Sequence, residues 1–395
     1  MTFDSRGAGY DGEARTRWTT SSRGTEGTRG TATVTDRGGE MKIGLEAEYW
    51  VVDELGELAT DTGDIAEVSE HVVPEFVAPL IEVQTPPVSN TDELRREFGS
   101  VLRTVCDAAD ERGLSLVPLG TPLARESLPV TSERGRLLER MYGDDMAYAK
   151  NCAGTHVHFD RGNVVRQLNL LTALDPALAL VSSSPYFDGS KLASSSRAAV
   201  YRYESHSTFA RYRDLWDYAE SEDQWEERID EQYFVLQLIA RERGIDTGTF
   251  SRYFKREDAV LTPVRLRHRS PTVEWRAPDT ALPSQILRLV SDVANLLQQT
   301  EYKDVVVGET GVRTEKIGIP PFPEVRELST AAINEGLGSL RVQDYLTTMG
   351  FDTTRYHPIS DRIEHGWTLP REEALRIRRE YADRLVEEVA ELTGS

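Results

Sequence analysis

The stretch MKIGLEAEYWVVD, residues 41–53, decides the fold. It alternates as a strand, with Ile43, Leu45, Ala47, Tyr49 and Val51 on one face and Gly44, Glu46, Glu48 and Trp50 on the other. Two carboxylates therefore share one face of an otherwise apolar strand, about 7 Å apart. Like charges placed so repel, and half-burying them costs more. Three further segments repeat the pattern. PLIEVQTPP (79–87) is a short strand stopped by two prolines, with Glu82 and Gln84 on one face. GTHVHFD (154–160) aligns His156, His158 and Asp160, and SPTVEWRAPD (270–279) aligns Glu274 and Arg276. A single face of this kind is most often solvated. Four of them point to strands converging on one cavity of acids, imidazoles and an arginine. Carboxylates crowded there require cations. Hard divalent ions such as Mg²⁺ or Mn²⁺ take oxygen ligands and keep positions for substrate phosphates.

Around these strands the chain mixes helices with strands. NTDELRREFGSVLRTVCDAADERG (90–113) reads as a helix capped by Asn90 or Thr91 and ended by Gly113, with Leu94, Phe98, Leu102 and Cys106 on one face. Cys106 is thus expected in the core. LSLVPLGTP (114–122) reads as a strand, and 164–183 as an apolar helix. Another helix is expected from Pro283 to Gln299. The C-terminal segment reads as an amphipathic helix with Leu375, Ala382, Leu385, Val389 and Leu392 inward. No repeat or linker divides the chain, so residues 41–395 are expected to form one domain. With no glycine-rich phosphate turn between strand and helix, the pattern favours α+β with a largely antiparallel sheet. Residues 1–40 are rich in Gly, Arg, Ser and Thr without periodicity and read as a disordered extension, either a true tail or the product of a misplaced start upstream of Met41. Their GAGYDG has the letters of G-x-G-x-x-G but neither the strand before nor the helix after that a nucleotide turn needs.

The formal net charge is −20, which argues against a nucleic-acid partner. Lysine occurs only at 42, 150, 191, 255, 303 and 316; the other basic residues are arginine. An acidic, lysine-poor surface suits a high-salt cytoplasm, where salt screens self-repulsion. No apolar run reaches the roughly 20 residues of a membrane span, and the N-terminus has no apolar signal segment. Two cysteines, Cys106 and Cys152, fit a reducing cytoplasm without a disulfide framework.

There is no P-loop, G-x-x-x-x-G-K-[ST], and no H-E-x-x-H. Five blocks in order, GLEAEYWVVD (44–53), LIEVQTPP (80–87), NCAGTHVHFD (151–160), SSSPYFDGSKLASSSRAAVYR (182–202) and PTVEWRAPDT (271–280), resemble the type 2 glutamate–cysteine ligase family, from about Met41 to Gln299. The acidic composition points to its haloarchaeal branch. The resemblance implies a glutamine synthetase-like fold: a curved antiparallel sheet forming a funnel, with helices packed outside and ATP and Mg²⁺ within. It implies Glu46, Glu48, Glu82, His156 and Glu274 as metal ligands, with Glu75 a looser candidate. Arg276 is implied near the ATP phosphates, with Glu274 beside it in catalysis, and Arg197 at a substrate carboxylate.

The implied reaction joins the γ-carboxylate of L-glutamate to the amine of L-cysteine through a γ-glutamyl phosphate, at the expense of ATP. No protein nucleophile is needed, so Cys152 is expected to be a small buried thiol. Another amine acceptor would fit the same residues. A metal-dependent hydrolase using His156 and His158 is a rival that would act without ATP, and a non-catalytic metal- or nucleotide-binding module is a third reading.

Overall fold

The computed structural model describes residues 41–204 and 214–394; the extension over residues 1–40 lies outside the described residues. Seven strands form the main sheet: β1 (Ile43–Asp53), β2 (Val72–Pro74), β3 (Leu80–Gln84), β4 (Leu114–Val117), β5 (Thr155–Asp160), β6 (Val264–Leu266) and β7 (Thr272–Trp275). Their order is β2-β3-β1-β5-β7-β6, with β4 on the far end of β1, and every pairing is antiparallel. Four helices pack against this sheet: α1 (Thr91–Asp110), α2 (Val164–Ala173), α3 (Pro283–Gln298) and α4 (Arg371–Thr393). The class is α+β, as the sequence pattern predicts.

Alternation along β1 sets the two faces. Leu45, Ala47 and Tyr49 enter one core cluster with Leu94 and Phe98 of α1 and Val290 of α3. Each fully buried side chain of this size stabilises the fold by about 1.5–3 kcal/mol. On the opposite face the far end of β1 is also covered. Trp50 and Val52 pack with Val117, Leu119, Ile377 and Tyr381 in a second cluster, and the Trp50 indole donates to the Leu119 carbonyl at 2.8 Å. That cover leaves the Gly44–Glu48 end of the face to polar side chains alone.

Local signals explain the helix boundaries. Asn90 accepts from the Glu93 amide at 2.9 Å while the Glu93 carboxylate accepts from the Ser89 amide at 3.1 Å, so α1 starts at Thr91. Cys106 lies in its buried face. The helix expected over 164–183 is broken instead. Asn163 caps α2, which ends at Ala173, and a 3₁₀ turn over Asp175–Val181 continues at a bend of 55°. Pro176 has no amide hydrogen for the α ladder, and Asp175 turns inward to a bidentate pair with Arg202 at 2.7 and 2.8 Å. LSLVPLGTP is strand only over Leu114–Val117. Among the described residues no single helix is long and apolar enough to cross a membrane.

The inward face of α4 also differs from expectation. Leu375 and Leu392 are half-buried, and Arg378 is 1% exposed. Its guanidinium donates to the Pro122 carbonyl at 2.9 and 2.6 Å, to the Gly56 carbonyl at 3.1 Å, and to Glu126. One buried side chain thus fixes the loop after β4 to the loop after β1. Arg378→Met is expected to destabilise the protein by about 3 kcal/mol, because in a dry site the Gly56 carbonyl loses its side-chain donor while Glu126 keeps only Arg371 and the Pro122 carbonyl only the Ala124 amide. Urea unfolding of the two proteins measures the difference.

Candidate functional site

Sheet register brings the charged faces together. Glu46 lies opposite Gln84 on β3 and His156 on β5; Glu48 lies opposite Glu82; His158 lies opposite Glu274; Glu274 lies opposite Arg265 on β6. Most of these side chains are shielded from solvent, and Glu46 and Glu48 are half-buried. Glu82, His156 and Arg265 are buried, and Glu274 is 0% exposed. Three overlapping groups have donor atoms all within 4.8 Å of one another: Glu46, Glu82 and His156; Glu46, His158 and Glu274; Glu48, Glu75 and Glu82. Glu75 enters from the loop between β2 and β3, a position that strand alternation cannot reach.

His156 is the hinge of the cluster. Its Nδ1 lies 3.5 Å from Glu46 and 4.0 Å from Glu82, and its Nε2 lies 3.9 Å from Glu48. His158 accepts or donates at Nδ1 to Thr272 at 3.0 Å, while its buried Nε2 makes no hydrogen bond and faces Glu46 at 3.3 Å. A buried imidazole nitrogen aimed at a carboxylate without bonding it is the donor geometry a divalent cation would complete.

The charges on this face are unevenly distributed. Burial and the neighbouring Glu75 push Glu48 up to about 8. Burial and the surrounding Glu46, Glu75 and Glu48 hold Glu82 well above the carboxylate range, and burial raises Glu75. Burial works against Glu46 too, but His158 and His156 outweigh it and keep Glu46 ionised. Burial and Arg276 lower His156 to about 3, so its ring is neutral.

On the β7–β6 side the sign reverses. Three guanidiniums meet Glu274: Arg276 at 2.5 Å, Arg265 at 3.0 Å and Arg267 at 3.2 Å. Against burial, they hold that carboxylate far below its usual range. Arg276 also reaches His156 at 3.4 Å. The face thus has an acidic end suited to cations and a basic end suited to anions. Divalent ions fit the acidic end on its donor set alone: imidazole nitrogens and carboxylates too crowded to ionise together.

Metal uptake should therefore release protons. Glu48 is protonated at pH 7 and must lose its proton to serve as a ligand, so affinity should rise with pH up to about 8. The expected slope is about tenfold per pH unit for each proton released. Titration calorimetry of Mn²⁺ in two buffers of different ionisation heat measures the number; a binding heat independent of buffer contradicts it.

Arg197 lies beside this cluster but faces the main chain. Its Nη1 donates to the carbonyls of Ala277 (3.2 Å) and Pro278 (3.1 Å), and its Nη2 to that of Arg276 (3.4 Å). Cys152 is buried, with its thiol on the Tyr148 carbonyl at 3.2 Å. The sequence reading missed Arg265, Arg267 and Asp279. The first two carry the same signal as the acids, since VRLRHR (264–269) alternates arginines on one face. Asp279 carries none.

Residues 42–324, which contain every residue of this site, match Glutamate-cysteine ligase family 2. A protein of Rhodococcus jostii named "Putative glutamate--cysteine ligase 2-1" is 28% identical over 259 residues, covering 63% of this chain and 64% of that protein. One of Salinispora tropica named "Putative glutamate--cysteine ligase 2" is 25% identical over 303 residues, covering 71% and 74%. The chain therefore spans just under two thirds of the first of these relatives. Among solved structures, a bifunctional glutathione synthetase from Pasteurella multocida superposes with a TM-score of 0.53 at 14% identity, over 89% of this chain and 53% of that one. That likeness concerns the fold alone: an antiparallel sheet with helices packed outside.

Proposed function

The chain belongs to glutamate–cysteine ligase family 2, and from that premise we propose that it joins the γ-carboxylate of L-glutamate to the amine of L-cysteine with cleavage of ATP to ADP and phosphate. The observation that carries this reading is the polar sheet face itself, with its acidic end at β3–β1 and its arginines at β7–β6. In this reading Glu46, Glu48, Glu82, His156 and Glu274, joined by Glu75, hold Mg²⁺ or Mn²⁺. Bound there, divalent ions would neutralise the triphosphate and draw electron density from its γ-phosphorus.

The chain's own part is electrostatic and geometric. A carboxylate is a poor electrophile, so a glutamate oxygen first attacks the γ-phosphorus and ADP departs. Negative charge crowds the transition state, and Arg276, fixed by Glu274 and bordered by His156, would stabilise it. The amine nitrogen then attacks the acyl carbon, and phosphate leaves with the oxygen that had belonged to glutamate. Burial of the face excludes water, which would otherwise hydrolyse the acyl phosphate.

The test is product analysis. Incubation with ATP, Mg²⁺, glutamate and a panel of amines should yield γ-glutamylcysteine with cysteine, one ADP per product, and little product with other amines. Preference for another amine would keep the carboxylate–amine ligation and replace the acceptor. ATP-independent hydrolysis would favour the metal-hydrolase reading.

The acidic, lysine-poor surface supports a halophilic cytoplasmic setting within this proposal. Melting temperature should then rise between dilute buffer and molar KCl, as screening relieves acid–acid repulsion. A salt-independent melt removes that part alone.

A further inference from the structure

The helix Glu222–Glu242 buries one side and leaves an ordered stripe on the other. Ser221 caps it, accepting from the Gln224 amide at 3.1 Å, and Glu222 and Asp223 stand in its first turn. Trp225, Ile229, Leu236 and Ala240 are buried, the last two in a cluster with Phe250 and Phe254. The opposite side carries Glu227, Glu231, Phe234, Leu238 and Arg241, all exposed. Their spacing of four, three, four and three is that of a seam along which one helix packs on another. Phe234 is 58% exposed and Leu238 42%, one turn apart. Single exposed apolar residues are ordinary, but an adjacent pair between charges, on a chain of net charge −20, marks a contact surface.

The stripe is symmetric about Leu236 with its charge reversed. Phe234 and Leu238 lie two residues to either side of it, and Glu231 and Arg241 five residues to either side. Laid antiparallel with a two-fold axis at Leu236, a second copy of the helix sets Phe234 level with Leu238 of the second copy. The same register sets Glu231 level with Arg241 of the second copy. Each contact then occurs twice, as two-fold symmetry requires. A parallel copy would instead set glutamate against glutamate and arginine against arginine. Asp230 falls level with Glu242 of the second copy, but Arg256 already neutralises it. The helix is also fixed in place: Arg256 donates to Glu226 at 2.5 Å, and the Tyr233 hydroxyl donates to the Phe254 carbonyl at 3.2 Å.

We propose that two copies of this chain associate through this face, with the helices Glu222–Glu242 antiparallel, Phe234 and Leu238 at the centre and Glu231–Arg241 pairs at both ends. The occupant is a second copy because apolar and charged positions complement each other in one and the same register. Charge pairing here selects the partner and its orientation more than it adds affinity. An interface centred on one helix pair stands at the small end of specific interfaces, so association is expected at roughly micromolar concentration. The face is built from none of the residues assigned to metal or phosphate, so the inference stands apart from the proposed reaction.

Sedimentation velocity of the full chain tests this, over about 1–200 μM at about 0.15 M salt, where charges in contact still interact across a screening length of about 8 Å. A concentration-dependent shift from one chain to two is expected. Phe234→Ser should weaken association by about 100-fold or more, as loss of a central aromatic anchor does, and leave the melting curve of the dilute protein unchanged. Glu231→Arg and Arg241→Glu should each weaken association by about 10–100-fold, since each turns two attractive contacts into two repulsive ones. The Glu231→Arg/Arg241→Glu double variant should regain it. An equimolar mixture of the two single variants should regain it too, because their chains then complement each other. Both rescues are specific to the antiparallel register. Should Phe234→Ser melt early, the charge reversals decide alone. A chain that stays single throughout the series, as it would if a different protein occupied this face, overturns the proposal. So do a dimer indifferent to Phe234→Ser and charge reversals that do not rescue each other.

Discussion

Glu48→Gln and Glu82→Gln are each expected to lower ligase turnover by roughly a hundredfold or more, the scale of losing a group that stabilises transition-state charge. Both side chains offer donor atoms to the same group, with Glu75. The amide keeps the shape and removes the charge that a divalent ion requires, so Mg²⁺ affinity and rate should fall together. Excess Mg²⁺ should restore only part of the rate. The double variant should lose less than the product of the two single losses, since either change already dismantles the shared group. Stability should move the other way. Glu48 ionises near 8 in the folded protein against an ordinary value near 4.5, so its contribution to stability is lost as pH rises between those values. Glutamine escapes that loss, and metal-free Glu48→Gln should melt above the unmodified protein at pH 8. Phosphate release against Mg²⁺ concentration, together with melting curves at pH 5 and pH 8, checks both halves. Near-native turnover in both variants would contradict the metal cluster.

Arg276→Lys is expected to cost a further large factor, about 10²–10³-fold in kcat, through loss of a preorganised guanidinium at the transferring phosphoryl group. The substitution keeps a positive charge, so simple neutralisation of Glu274 does not explain a loss. Arg265 and Arg267 still face that carboxylate at 3.0 and 3.2 Å, and the fold should hold. What disappears is a planar donor able to meet Glu274 and a phosphate oxygen together. Steady-state kinetics over ATP concentration at saturating Mg²⁺ gives the measurement; unchanged kcat with unchanged KM for ATP would remove Arg276 from the reaction.

The strand faces were the legible part of this protein. Period-two alternation placed Glu46, Glu48, Glu82, His156 and Glu274 on charged faces, and the antiparallel register then set Glu48 opposite Glu82 and His158 opposite Glu274. Alternation does not fix strand order, so the position of β5 between β1 and β7, which makes His156 central, could not be read. Nor could it show that Trp50 and Val52 cover the far end of the polar face, because their partners Ile377 and Tyr381 come from the other end of the chain. Glu75 and Asp279 sit in loops, where no period marks a functional side chain. The break of the apolar helix at Leu174 was available in Asp175-Pro176. Residues 304–348, which form a three-stranded sheet over Asp304–Val307, Gly311–Val312 and Lys316–Ile319 and two further helices, were not read from the sequence. Nor could the sequence show that the Arg197 guanidinium lies on the carbonyls of residues 276, 277 and 278, about 80 positions away.

The most direct measurement tracks one oxygen atom. L-Glutamate labelled with ¹⁸O in its γ-carboxylate is incubated with the protein, ATP, Mg²⁺ and L-cysteine, and the phosphate released is examined by mass spectrometry. Activation of the carboxylate by phosphoryl transfer predicts one ¹⁸O in each phosphate formed and one γ-glutamylcysteine for each ADP. Phosphate free of label, or ATP cleavage indifferent to glutamate, would contradict the ligase mechanism.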